Sequence, residues 1–180
     1  MAPLPGRAGA ADLVTPCDAD GSAFEEEIGP LLNIATRLAT GMLLNTVEAE
    51  DAVQEACVRA WRHRANRRAG TDLRPWFLGI VANQCREARR GRWWSVLRMA
   101  DVSGAAPTGP TDLSLALALR QALSQLPHRR RAVLVLRYYL DLPLEEVAAA
   151  TGCSVDSAKA LIRRGTADLK RALSMPEASS

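Results

Sequence analysis

Aromatic residues are scarce in this 180-residue chain, with Phe, Trp and Tyr together making up only 4%. Histidine occurs twice, as His63 and His128, and cysteine four times, as Cys17, Cys57, Cys85 and Cys153. Each scarcity excludes something. A hydrophobic fraction of 48% is ample for a core, but without aromatics that core is built from Leu, Val and Ala, a composition that favours helices over a β-sandwich. The cysteines lie far apart and form no Cys-x-x-Cys pair, and two imidazoles do not complete a ligand set, so no metal or other cofactor is expected. Cys57 and Cys85 sit at or beside apolar helix faces and read as small hydrophobes. No apolar run approaches the ~18 residues of a membrane span, and the N-terminus lacks the basic-then-apolar pattern of a signal peptide. A reduced, cytoplasmic protein without membrane insertion is expected. Catalytic constellations are missing too: there is no Gly-rich phosphate loop, no nucleophile–base set and no paired carboxylates in a pocket-like context. The chain reads as a non-enzyme.

What is present is a division of charge. The formal net charge is only +3, but it is unevenly spread. Residues 24–55 hold seven acids against Arg37 alone, whereas residues 56–98 hold eleven arginines against Asp72 and Glu87. Such a basic run is an electrostatic footprint for a polyanion, or else a solvated, salt-bridged surface.

The reversal falls inside one amphipathic stretch, residues 45–62. At the helical period Ala49, Ala52, Val53, Ala56 and Ala60 share a packing face, flanked by Cys57 and Trp61. Asp51, Gln54, Glu55, Val58 and Arg62 share the other, with Glu55 and Arg59 at the i, i+4 spacing of a salt bridge. Asn45 is a good N-cap with Glu48 at the capping-box position. Residues 1–22 are rich in Ala, Gly and Pro and read as a disordered tail. An amphipathic helix is expected from Phe24 to about Ala39, begun late or kinked at Pro30. After an Arg-rich loop at 63–72, a helix is expected from Trp76 to about Arg90, with Pro75 in its first turn. Trp76, Phe77, Ile80, Val81, Cys85 and Ala88 form its core face; Gly79, Asn83, Arg86 and Arg90 line the other, suited to phosphate oxygens and base edges. Trp93 and Trp94 suit either base stacking or capping of the core.

A Gly/Pro-rich linker is expected at 99–111, between a helical domain at 23–98 and a second at 112–174, with a short tail at 175–180. In the second, helices over 112–126 and 128–140 precede a short helix closed by Gly152 and a last helix capped by Ser154. The final pair reads as a helix-turn-helix. Val155, Ala158, Ile162, Gly165, Leu169 and Leu173 make the inner stripe of the last helix. Asp156, Lys159, Ala160, Arg163, Arg164 and Ala167 project outward, as a major-groove reading head requires. The fold class is all-α, two small helical domains joined by a flexible linker.

Two separated stretches carry a resemblance. Ala49-Glu-Asp-Ala-Val-Gln-Glu-Ala-Cys-Val-Arg-Ala-Trp-Arg62, followed by Arg74-Pro-Trp-Phe-Leu-Gly-Ile-Val-Ala-Asn83, resembles the second conserved region of bacterial sigma factors. Leu126-Pro-His-Arg-Arg-Arg-Ala-Val-Leu-Val-Leu-Arg-Tyr-Tyr139, with Leu144-Glu-Glu-Val-Ala148 and Thr151-Gly-Cys-Ser154, resembles the fourth. With no room between them for the third, the architecture is similar to the extracytoplasmic-function (ECF) class. The resemblance implies promoter-specific transcription initiation with core RNA polymerase, its beta-prime clamp helices and beta subunit, and with promoter DNA, in the bacterial cytoplasm and at the nucleoid. It also implies an anti-sigma partner. Asp51, Gln54, Glu55 and Val58 would contact polymerase. Arg62, Arg64, Asn66, Arg67, Asn83, Arg86 and Arg90 would hold the −10 strand, the 63–72 loop helping to pocket a flipped base. Ser157, Lys159, Ala160, Arg163 and Arg164 would read the −35 element. The stretch Ser157-Ala-Lys-Ala-Leu-Ile-Arg-Arg-Gly165 departs from the family pattern where Ala160 and Leu161 replace a polar, usually basic pair, which implies an atypical −35 sequence or heavier reliance on phosphate contacts. A stand-alone helix-turn-helix regulator is the other reading; it leaves the acidic face without a purpose.

Overall fold

The computed structural model describes the backbone of residues 16–67, 70–95 and 110–174, and side chains over 21–67, 70–90 and 114–174. Among them there are helices and no strand. The chain divides into two compact units, Met1–Pro30 and Leu31–Ser180.

The first unit contains α1, Pro16–Ile28. Residues 16–22, expected as tail, are therefore helical: Pro16 sits at the helix start, where a fixed φ and a missing N–H cost nothing. Residues 1–15 of the expected tail lie outside the described residues. The single helix expected from Phe24 to Ala39 is instead broken by a 3-10 turn, Gly29–Leu31. Pro30 is the reason, since its ring clashes with the carbonyl four residues back.

The second unit starts with α2 (Leu32–Leu43), α3 (Thr46–His63) and α4 (Leu73–Ser95), which pack on one another. Leu44 closes α2 in the left-handed region at φ 59. Asn45 caps α3, its Oδ1 accepting from the Glu48 amide at 3.1 Å. Ala35, Leu38, Ala39 and Met42 of α2 meet the small-residue face Ala49, Ala52, Val53, Ala56 and Ala60 of α3, all buried. Alanines on that face let three helices approach closely with few aromatics. Asp72 starts α4, its Oδ1 accepting from the Arg74 amide at 3.1 Å. This helix begins three residues before the expected Trp76.

The C-terminal half comprises α5 (Pro110–Gln125), α6 (His128–Leu134), α7 (Leu144–Ala150) and α8 (Val155–Ser174). The helix expected over 128–140 changes hand-hold midway: Val135–Tyr139 is a π turn, closed by Leu140 N–H to Val135 O at 3.0 Å. Gly152 at φ +62 ends α7, as the glycine predicted, and Ser154 Oγ accepts from the Ser157 amide at 3.2 Å to start α8. The helix-turn-helix is formed. Gly165 sits where α8 crosses α6; a Cβ there would lie 3.1 Å from Leu134 Cδ1. That close crossing is what the helix-propensity cost of roughly 1 kcal/mol allows.

The two halves, 31–95 and 110–174, meet along a seam. The π turn and α6 pack on α2, and α7 packs on α4. Gly79 lies against α7, where a Cβ would stand 2.9 Å from Ala150 O, and Gly41 against the π turn, 2.8 Å from Val135 Cγ1. Arginines tie the seam to carbonyls at the end of α2. Arg131 Nη1 donates to Met42 O at 2.7 Å, Arg120 Nη2 to Leu44 O at 2.5 Å, and Arg37 Nη2 donates the other way to Tyr139 O at 3.0 Å. Residues 99–109 of the expected linker lie outside the described residues; Pro110 and Thr111 belong to α5.

Candidate nucleic-acid interface

The opposite face of α3 remains in solvent. Asp51, Gln54, Glu55, Val58 and Arg62 are all exposed, Val58 by 39%. The expected Glu55–Arg59 pair does not form. Arg59 reaches across to α4 instead, donating through Nη1 and Nη2 to both oxygens of Glu87 at 3.1 and 3.2 Å. Gln84, buried beside this fork, accepts from Arg59 Nε at 2.9 Å once its amide is oriented to satisfy both groups. A bidentate carboxylate fixes a guanidinium better than one flexible neighbour on the same helix, so the acids of the α3 face are left without a described basic partner.

Past α3 the 63–72 stretch is a 3-10 turn over Arg64–Asn66 rather than an open loop. Its cations are differently disposed. Arg62 and Asn66 are exposed and Arg67 is half-buried. Arg64 lies flat over the Trp61 ring, 3.5 Å from its centroid, and donates to Trp61 O at 2.9 Å. Arg68 is outside the described residues. On α4, Asn83, Arg86 and Arg90 form an exposed row. Gly79 does not join it; it is inside the seam, against α7. Leu78 and Ala82 are buried on that same side and Ala88 is exposed, because α4 is covered on two faces rather than one. The side chains of Trp93 and Trp94 lie outside the described residues.

On α8, Lys159, Arg163 and Arg164 are exposed, Ser157 is exposed with its hydroxyl accepting from Ser154 Oγ at 2.9 Å, and Ala160 is half-buried rather than projecting. Lys159 Nζ pairs with Asp156 at 3.5 Å, both ends open to water, which contributes little. Lys159, Arg163 and Lys170 line a groove of about 550 Å³ with Arg137 and Tyr138. Sequence periodicity missed the last two: Tyr138 is 66% exposed at the π turn, which rotates it off the face a regular helix would give it.

A larger, mostly apolar cleft of about 740 Å³ opens beside the seam, walled by Leu44, Leu119, Leu123, Val135, Tyr138 and Leu169. Leu115, Leu117 and Leu119 expose apolar surface along α5 nearby in sequence. Among the described residues no group of three His, Cys, Asp or Glu could hold a metal, and no helix is long and apolar enough to cross a membrane. Burial pushes the Cys85 thiol up to about 12 and raises that of Cys57; both stay protonated and unreactive near neutrality.

Comparison with known proteins bears on what these surfaces are. Residues 24–95 match the Sigma-70 region 2 family and residues 116–169 the Sigma-70 region 4 family. The chain is 32% identical over 152 residues to the ECF RNA polymerase sigma factor SigG of Mycobacterium tuberculosis, an alignment covering 68% of this chain and 41% of SigG. The chain thus spans about two fifths of that relative's length. It is 32% identical over 137 residues to the RNA polymerase sigma factor CarQ of Myxococcus xanthus, covering 73% of this chain and 78% of CarQ. In fold it is similar to the sigma factor RpoE of Bartonella quintana, crystallised with the anti-sigma factor NepR, with a TM-score of 0.67, 23% identity, and coverage of 87% and 99%. The region 2 match takes in α3 and α4, the region 4 match the helix-turn-helix, and both come in the family's order. This chain belongs to the Sigma-70 family of RNA polymerase sigma factors, in its extracytoplasmic-function class.

Proposed function

We propose that the chain is a dissociable initiation subunit that carries core RNA polymerase to promoters and has no chemistry of its own. The observation that carries the reading is the α3 face, where Asp51, Gln54 and Glu55 stay exposed with Val58 while Arg59, four residues on from Glu55, is held by Glu87. This is the proposed contact with the polymerase clamp helices. Arg62, Asn66, Arg67, Asn83, Arg86 and Arg90 then follow the non-template strand of the −10 element, with Arg64 and its Trp61 platform at the edge of that track. Ser157, Lys159, Arg163 and Arg164 address the −35 element, and the half-buried Ala160 contributes shape rather than a hydrogen bond. Residues 99–109 are the proposed linker, running toward the polymerase's RNA exit side, and the protein works in the cytoplasm on nucleoid DNA. An inhibitor of the kind that the Bartonella relative binds would find apolar surface in the 740 Å³ cleft.

Reconstitution tests the whole reading. The protein, core polymerase and promoter fragments are mixed and transcript starts are mapped. Starts clustered at defined promoters are expected only when the protein is present. Tight duplex binding by the protein alone, with no polymerase-dependent starts, would instead make it a stand-alone regulator.

A further inference from the structure

The C-terminal part of α4 and the turn joining α5 to α6 enclose a groove of about 390 Å³, lined by Arg86, Arg89, Arg90, Gln125, Pro127 and His128. Among the described residues no carboxylate lines it. The acid closest in sequence, Glu87, is occupied on both oxygens by Arg59. Arg86 and Arg90 are exposed, have no ion pair among the described residues, and stand at the i, i+4 spacing that places like charges side by side at a cost. Arg89 reaches the opposite wall, donating to Ser124 O at 3.4 Å.

The surroundings respond to this crowding. Burial first, then the charges of Arg89, Arg86 and Arg131, push His128 down to about 4 against a bond with the Ala82 backbone. Arg131 falls to about 10 through burial and the proximity of Arg89. A groove that presents the exposed guanidiniums of Arg86 and Arg90, an amide and no acid among the described residues is matched chemically by a phosphate group, which guanidinium binds bidentately. We propose that this groove is a binding site for a phosphate-type oxyanion, supplied either by the phosphate end of a free nucleotide or by a nucleic-acid backbone.

The site goes beyond promoter recognition because its walls come from both halves of the molecule. Arg86, Arg89 and Arg90 belong to the half that carries the −10 row; Gln125 and His128 belong to the half that carries the helix-turn-helix. An anion held between them stabilises the docked seam by mass action; a free phosphorylated ligand there also withdraws Arg86 and Arg90 from a DNA strand.

Pyrophosphate is the probe, added to the full chain and compared with sodium chloride at matched ionic strength. The melting temperature is expected to rise by about 5 °C or more at 100-fold excess over Kd. Arg90→Gln should weaken the response. Gln125→Glu, on an exposed position outside the proposed DNA track, supplies the negative charge itself and should abolish the response. Circular dichroism checks that both variants fold. No rise beyond that in chloride, or an equal rise in both variants, overturns the site. A parallel titration with a thymidine oligonucleotide identifies the source. Stabilisation lost in Gln125→Glu assigns the groove to backbone phosphate; stabilisation kept there assigns it to a free phosphorylated ligand. No polymerase is present in this assay, so its failure and a failure of promoter-specific initiation are read separately.

Discussion

Arg131, 2% exposed, donates its Nη1 proton to Met42 O at 2.7 Å, joining the helix-turn-helix half to the last turn of α2. The partner is one of the carbonyls that a helix end leaves without an amide, where a cation is favoured. The rest of the guanidinium is poorly served: Nε and Nη2 are buried without a protein partner. Such a group stabilises through its single bond and its packing while its charge works against it. Arg131→Ala, which removes stem and bond together, is expected to lower stability by about 2–4 kcal/mol in urea unfolding. Arg131→Met, which keeps the stem and drops the charge, should fall within about 1 kcal/mol of the parent. Equal losses in the two variants would mean that the hydrogen bond, not the packing, dominates.

Gly79 makes the complementary prediction. Alanine in mid-helix ordinarily gains about 1 kcal/mol over glycine. Here the added Cβ would meet a backbone oxygen at 2.9 Å, not the end of a flexible side chain. Gly79→Ala is therefore expected to lose about 1–3 kcal/mol by overpacking, measured by the shift in the urea midpoint at constant m. A gain in stability would show that α4 and α7 part readily at this point.

The α3 face separates binding from folding. Since Glu55 does not hold Arg59, Asp51→Lys and Glu55→Lys together should leave the melting temperature within about 3 °C of the parent. Polymerase affinity should fall by tenfold or more in a direct binding titration. Unchanged affinity would move the docking surface off α3.

His128 gives a pH dependence. Its folded value is pushed down to about 4 by burial, against 6.5 for the free group. The folded state then binds fewer protons than the unfolded state between these values, so stability from this group is fully present above about 6.5 and declines as pH falls toward 4. The loss across that window is on the order of 1–3 kcal/mol. His128→Gln should flatten that part of the curve while the carboxylate-driven fall at lower pH persists; superimposable curves would sink the assignment.

Different parts of this architecture were legible to different degrees. The α3 helix could be read almost whole, because it buries one face and that face is a run of alanines at the helical period. The turn at Gly152–Ser154 was equally plain, since a left-handed glycine and a serine cap are local devices. The α4 helix was only half readable. A helix packed on both sides breaks the two-face rule, and nothing near Gly79 in sequence announces that Ala150 lies against it. Arg59 shows the same limit from the other side: its nearest acid along the helix is Glu55, but the acid that wins is Glu87, 28 residues away. The π turn at Val135–Tyr139 leaves no periodic signature, so the outward swing of Tyr138 was hidden. Within the candidate site, exposure of the α3 and α8 residues followed from periodicity, whereas the stacking of Arg64 on Trp61 and the arginine-lined groove depend on tertiary neighbours.

The seam also sets a length. A compact unit of about 150 residues has a radius of gyration of roughly 15 Å. Promoter elements centred at −10 and −35 are about 25 base pairs apart, some 85 Å along the duplex at 3.4 Å per step. With Gly79 against Ala150 and Arg131 on Met42, the two proposed readers are held too close together to span that interval. Residues 96–109 can reach about 50 Å when fully extended, enough to make up the difference once the halves separate. To address both proposed elements at once, the docked molecule, a folded ruler, would have to give up the bonds that close it.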